Sequence, residues 1–297
     1  MNQVRRIYVV GTCDTKAREL HYAADLIKKA GAEVALVDVS TGPCKYESGI
    51  SPQEVAGFHP SGVSAVLGLS DRGQAVTAMA GALTRFILSR TDVAGILGMG
   101  GSGNSVIVTA AMRALPIGIP KLMVSTLASG NVAPFVGPSD ITMMHSVSDI
   151  AGLNAISRKV IGNAAHAIAG MVLNSVPEAS GGKIPVGMTM FGVTTSCISQ
   201  IRQMLDETCE CFVFHATGTG GQCMEKLIDS GLITGALDIT TTEVADLLFG
   251  GVLPCTEDRF GAVIRRRIAF VGSVGACDMV NFGGRDTVPE RYAGRNL

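Results

Sequence analysis

The residues best equipped for chemistry are Thr12, Asp14 and Thr15 near the start of the chain and His215, Asp238 and Glu243 in its second half. They fall in or beside three kinds of small-residue turn. Three of those turns are glycine-rich: Gly11-Thr-Cys-Asp-Thr-Lys16, Gly98-Met-Gly-Gly-Ser-Gly-Asn104 and His215-Ala-Thr-Gly-Thr-Gly-Gly221. Each follows a short apolar run and opens a helical pattern. The first amides of a helix have no intrahelical acceptor, and the aligned peptide dipoles make that end positive. Such a turn suits an anion, often a phosphate, so the expected chemistry is recognition of a phosphorylated small molecule or nucleotide.

The turns differ in detail. Gly98-x-Gly100-x-x-Gly103 has the form of the dinucleotide fingerprint between a strand and a helix. It follows the third strand rather than the first, and the next strand ends in Ser125 rather than an acid. It therefore reads as a phosphate cradle without NAD specificity, with Gly100, Gly101, Ser102, Gly103 and Asn104 offering backbone amides. The alternative is a tight turn that needs small residues for packing. The first turn lacks the second glycine and the Lys-Ser/Thr pair of a Walker A loop. Thr12 and Thr15 offer hydroxyls there. Asp14 would repel a bare phosphate but suits a ribose hydroxyl or a Mg²⁺ bridge, its other reading being the N-cap of the next helix. Cys13 reads as an activated thiol or, better, as a small buried residue. Ser125 and Thr126 add hydroxyls at another strand end. His215 stands beyond the carboxyl end of a strand, where an acid or base would work, or where a loop histidine would simply be hydrogen-bonded. Asp238 and Glu243 could orient substrate or metal, or Thr241 with Glu243 could cap a helix. His145 and Asp149 could pair, although the capped start of a long helix is the better reading there.

These residues need a scaffold, and the pattern supplies one. Strands are predicted at Arg6–Val10, Glu33–Val37, Val93–Leu97, Ile119–Val124 and Asp140–Met144, and helices at Lys16–Ala30, from Asp71, at Asn104–Leu115 and from Leu153. A polar stretch from Ser40 to Ser64 is an excursion with a short helix from Pro52. Pro177-Glu-Ala-Ser-Gly-Gly182 reads as a linker. A second round follows, with strands at Ile184–Met188, Cys211–Phe214, Gly235–Leu237 and Ile268–Val271 and helices at Ser196–Glu207, Gly221–Asp229 and Thr242–Phe249. The expectation is an α/β protein of two Rossmann-like, doubly wound domains with mainly parallel sheets, residues 1–178 and 183–297.

Composition narrows the class. Apolar residues make up 47% and charged residues 16% of 297 positions, which suits sheets buried on both faces and a subunit interface. Net charge is −1, with no basic run beyond Arg265–Arg267, so a broad nucleic-acid footprint is not expected. Ile7–Val10 is too short for a signal-peptide core, and Arg158, Lys159 and His166 interrupt the longest apolar helix, so no membrane span and a cytoplasmic location are expected. Eight cysteines without a C-x-x-C pair read as reduced thiols.

Beyond the three turns, Asp71-Arg-Gly73, Pro120-Lys-Leu-Met-Val-Ser-Thr126, Ser139-Asp-Ile-Thr-Met-Met144, Met190-Phe-Gly-Val-Thr-Thr195, Leu237-Asp-Ile-Thr-Thr-Thr-Glu243 and Asp278-Met-Val-Asn-Phe-Gly283 carry a resemblance. Over essentially its whole length the chain resembles the Tm-one-like ATP-binding domain family, named for the N-terminal region of a tomato mosaic virus resistance protein. The resemblance implies two Rossmann-like domains, ATP binding and a homo-oligomer, most simply a dimer. Members run past the Val288–Arg291 segment, which implies a second domain shortened at its C-terminus, with an exposed edge or apolar face. The resulting expectation is ATP, with or without Mg²⁺, in the cleft between the domains. Thr12, Asp14 and Thr15 would face ribose or Mg²⁺, Gly100–Asn104 the phosphates, and Ser125 and Thr126 would add hydroxyls. Two alternatives remain open at this point. One is a metabolic enzyme on a small acid or sugar phosphate, with His215 as acid or base and Glu243 in support. The other is a non-catalytic, nucleotide-stabilised interaction module with an unknown protein partner.

Overall fold

The computed structural model describes residues 4–42, 49–174, 176, 182–292, 294 and 295. The chain divides into two compact units, Met1–Pro177 and Glu178–Leu297. Of the segment read as a linker, residues 177–181 lie outside the described residues.

The first unit runs β1 (Arg6–Gly11), α1 (Cys13–Lys29), β2 (Glu33–Asp38), α2 (Pro52–Ala56), α3 (Ser64–Leu67), α4 (Arg72–Leu88), β3 (Val93–Gly100), α5 (Ser102–Ala114), β4 (Lys121–Ser125), α6 (Ala133–Val136), β5 (Thr142–His145) and α7 (Ala155–Leu173). Its five strands are parallel in the order β2-β1-β3-β4-β5. Alternate residues of each strand feed opposite faces, as the two-residue period of a strand requires. Tyr8, Val10, Ile96 and Met123 pack against Met79, Leu83, Phe86 and Met112 of α4 and α5. Ile7, Val9, Leu97 and Val124 pack against Leu20, Ile27, Ile161 and Ile168 of α1 and α7. All eight residues of β3 are buried, which is why its sequence is an almost unbroken apolar run. The chain leaves β1 toward β2 on one side and resumes at β3 toward β4 on the other. The carboxyl ends of β1 and β3 therefore flank the crevice where open α/β sheets hold ligands.

Among the boundaries that differ from the sequence expectation, two have a cause visible in the pairing around them. α1 carries an extra turn from Cys13 ahead of the expected start, joined to the rest by a kink at Lys16 (φ −130°, ψ 21°), because Asp38 Oδ1 accepts the Cys13 amide (3.0 Å) and Ser40 Oγ accepts the Asp14 amide (3.0 Å). Thr12 thus takes the N-cap position, and Asp14 lies in the first turn instead of capping it. The β3 strand extends to Gly100, since β4 pairs with it as far as Gly100 and Ser125. The start of α4 follows its predicted cap: Asp71 Oδ1 accepts the Gln74 amide at 2.8 Å.

The second unit runs β6 (Ile184–Met190), α8 (Thr195–Leu205), β7 (Cys209–His215), α9 (Thr219–Asp229), β8 (Gly235–Thr240), α10 (Thr242–Phe249), α11 (Gly261–Arg266) and β9 (Ala269–Gly275). Its strands are again parallel, in the order β7-β6-β8-β9. Met224, Ile228, Ile233, Ala236 and Ala262 form a core on one face, and Val186, Met188 and Ile198 a smaller one on the other. The sequence pattern misses α11, whose six residues lie between left-handed Phe260 (φ 72°) and Arg267 (φ 52°). A helix that short shows no periodicity. β9 is open at its outer edge among the described residues, with Val271 and Val274 56% and 80% exposed.

Candidate functional site

The three glycine-rich turns have the same local form and different occupants. In the first, every amide of the opening turn of α1 already has an acceptor. Cys13 donates to Asp38, Asp14 to Ser40, and Thr15 and Lys16 to the Thr12 carbonyl. Asp38 is buried at the end of β2, and its Oδ1 also accepts the Ser40 amide (2.9 Å) and hydroxyl (2.5 Å). A carboxylate of the protein thus stands where a phosphate would. What this turn shows to solvent is different: Thr12 and Thr15 hydroxyls 3.0 Å apart, with Thr15 donating to Asp14 Oδ1 at 3.2 Å. That cluster suits a sugar hydroxyl or a hydrated cation. Cys13 is buried, as its plainer reading expected.

The third turn is filled in the same way. Glu243 Oε1 accepts the amides of Gly218 (2.7 Å) and Gly221 (3.1 Å). A Cβ on Gly221 would lie 2.1 Å from Glu243 Oε2, so glycine is required for this close approach. Arg259 gathers three carboxylates around the same point, with Nε 3.2 Å from Glu243, Nη1 3.1 Å from Glu225 and Nη2 2.8 Å from Asp238. Thr189 donates to Asp238 Oδ1 at 2.7 Å. All four charged groups are buried. Burial pushes the Glu225 and Glu243 carboxyls above their ordinary values, and the three carboxylates together hold Arg259 above its own despite burial. Asp238 and Glu243 therefore enclose a guanidinium, and among the described residues no three His, Cys, Asp or Glu side chains are placed so that they could hold a metal ion. His215 is exposed and lies against Phe191, ring centroids 5.2 Å apart, with no hydrogen bond to Glu243. Thr241 donates to the Ser273 carbonyl (2.9 Å) and does not cap α10. His145 and Asp149 do not pair: Asp149 accepts the Ile150 amide, and α7 is capped by Asn154 and Ser157.

The second turn is open. Gly101 occupies the N-cap of α5 without a side-chain cap, and the amides of Ser102, Gly103 and Asn104 have no acceptor among the described residues. Asn104 is turned inward, its Nδ2 donating to the Met99 carbonyl (2.5 Å) and its buried Oδ1 without a partner. Ser125 is buried too. Its Oγ lies 2.7 Å from Ser105 Oγ and accepts the Leu127 amide at 3.0 Å, so it braces the turn from behind instead of presenting a free hydroxyl. Thr126, half-buried, donates its amide to the Gly100 carbonyl, and its Oγ1 lies 3.8 Å from where a Cβ on Gly101 would sit. Arg72 Nη2 lies 3.9 Å from the corresponding point on Gly103. The Arg72 side chain is exposed and pairs with no described carboxylate, so a cation lies beside Gly103 at the open turn. Sequence reasoning missed Arg72 and Asp38 as site residues. The signals were an arginine directly after a helix cap and an acid at the end of β2.

Residues 5–177 match the family described as "Uncharacterised protein family (UPF0261) N-terminal domain", and residues 183–297 match its C-terminal domain. A UPF0261 protein of Mesorhizobium japonicum is 59% identical over 98% of this chain and 73% of its own length. One from Clostridium tetani is 45% identical over 99% of this chain and 74% of its own. The ToMV resistance protein Tm-1(GCR237) of Solanum lycopersicum is 40% identical over 98% of this chain and 42% of its own. With both halves matched in order and at these identities, the chain belongs to the UPF0261 family.

Proposed function

We propose that the first unit binds a phosphorylated small molecule, ATP before others, at the amino end of α5. The observation that carries this reading is the contrast among the three turns. Two hold a buried carboxylate of the protein, whereas no carboxylate enters the turn at Gly101–Asn104, where the amides of Ser102, Gly103 and Asn104 have no acceptor among the described residues. In this reading the phosphates lie on the amides of Ser102, Gly103 and Asn104 with Arg72 as counter-charge, and the Thr126 hydroxyl adds a donor. Gly100 gives the chain its close approach, since a Cβ there would lie 2.7 Å from that of Asn104. Thr12, Asp14 and Thr15, at the end of the adjacent strand, take ribose hydroxyls or hydrated Mg²⁺. The unpartnered buried oxygens Asp38 Oδ2 and Asn104 Oδ1 at the same edge of the sheet are acceptors that suit a hydroxyl-rich ligand or its waters. Binding needs no turnover, and the catalytic alternative through His215 loses its support because Glu243 is occupied elsewhere.

The same reading takes the protein as a cytoplasmic homodimer. The apolar content and the open β9 edge support an interface, and no described helix is long and apolar enough to cross a membrane. The test is a thermal melt with Mg²⁺-ATP, ADP, GTP or NAD, because a ligand of the folded state raises the midpoint. The expected result is a rise with ATP and none with NAD. Arg72→Gln, at an exposed position, should weaken ATP by about tenfold without altering the ligand-free melt. A melt indifferent to every nucleotide removes the reading.

A further inference from the structure

The segment Asp278–Gly283 has no part in the anion site, and its placement in the second unit gives it a different role. Beyond β9 the chain reverses at Ala276 (φ 58°) and is then fixed to α10. Asn281 donates its amide to the buried Asp246 (2.8 Å) and its Nδ2 to the Thr242 hydroxyl (3.3 Å), and its carbonyl accepts the Val252 amide (2.8 Å). Thr241 Oγ1 lies 3.1 Å from Cys277 Sγ. A second wall comes from Tyr292 and Arg295, and the segment leading to it lies against the end of α10, with the Pro289 and Arg291 side chains 3.2 Å and 3.8 Å from where a Cβ on Gly250 would sit. The Tyr292 amide donates to the Pro289 carbonyl at 2.9 Å. These anchors hold the walls in place before any ligand arrives.

Between the walls lies a cavity of about 380 Å³, lined among others by Phe249, Asp278, Met279, Phe282, Tyr292 and Arg295. It opens past the carboxyl end of β9, the side on which α/β sheets hold ligands, and its size is that of a small-molecule pocket. The Phe282 and Tyr292 rings are 5.7 Å apart and tilted by 45°, and the Arg295 guanidinium stands 5.6 Å from the Tyr292 centroid. Asp278 and Arg295 pair neither with each other nor with another described charge. Arg259 and Arg265 of the same unit are both held by carboxylates. One cavity thus presents an acid, a base and an aromatic body, with the two charges left separate.

We propose that this cavity binds a small zwitterion with an apolar body, of the amino-acid class. Its ammonium group meets Asp278, its carboxylate meets Arg295, and its side chain lies among Phe249, Phe282 and Tyr292. A ligand with one charge makes only one of the two charge-assisted contacts and so binds more weakly. The site belongs to the second unit and does not depend on the nucleotide reading.

The test is calorimetric titration of the intact chain with L-phenylalanine and L-leucine, beside N-acetyl-L-phenylalanine and L-phenylalaninamide, each lacking one charge. Saturable binding of at least one amino acid is expected, weakened about tenfold in Asp278→Asn and again in Arg295→Gln. Both positions are exposed, and circular dichroism checks that the variants keep the fold. The acetylated compound should be insensitive to Asp278→Asn and the amide insensitive to Arg295→Gln. No saturable binding of either amino acid overturns the proposal. So does binding that ignores both substitutions, or equal binding of the blocked compounds.

Discussion

Glu243 shows how one side chain decides what a turn can do. Its carboxylate accepts two glycine amides and meets Arg259, so a motif with the look of a phosphate loop is already satisfied. The same burial makes it titrate abnormally. Its folded carboxyl lies above the ordinary 4.5, and Glu225 beside it shifts the same way. A raised acid favours its protonated form in the folded state. Its contribution to stability is complete below about pH 4.5 and is lost as pH rises through the raised value. The charges facing it are Arg259, Glu225 and Asp238, with the Cys223 thiol, itself pushed up by burial, alongside. Glu243→Gln, which cannot ionise, should therefore show a flatter loss of melting temperature than the parent between about pH 4 and about pH 8. Identical slopes for the two proteins would show that Glu243 titrates alike in the folded and unfolded chain, which overturns the shift.

At the scale of the element, Gly98 sets the distance between β3 and α5. A Cβ there would lie 2.6 Å from both Met123 Sδ on β4 and Val108 Cγ1 on α5. Gly98→Ala must push α5 away from the sheet and should destabilise the first unit by about 1–3 kcal/mol in denaturant unfolding. Gly103→Ala meets only an ordinary contact, Val76 Cγ2 at 3.5 Å, and should melt close to the parent. The glycines of one motif thus divide into a packing glycine and one that keeps the helix start open, a division invisible in the spacing. Element positions were largely legible, since strand runs and helical periodicity are local properties. The errors lie where distant groups intervene, as at the start of α1, or where an element is too short to show a period, as with α11.

For the whole molecule, the open edge of β9 is the feature with a consequence in solution. Val271 and Val274 are largely exposed on a strand with one side unpaired among the described residues. Such an edge is a template for association unless charge protects it. Val271→Lys with Val274→Lys should lower self-association in sedimentation velocity across a concentration series and leave the ATP-dependent melt unchanged. A dimer that survives both lysines is built through another surface. The amino-acid order alone determined two α/β units and the places where strands end in glycine turns, because strand and helix periods and glycine's freedom act over a few residues. It could not say which of those turns is open to a ligand. Asp38 reaches back 25 residues to Cys13, and Glu243 reaches back 25 to Gly218. Parallel pairing brings the ends of β1 and β2 side by side, and the fold of the second unit carries α10 to the turn after β7. Only tertiary structure decides which amides are already filled, because the filling carboxylates arrive from other elements.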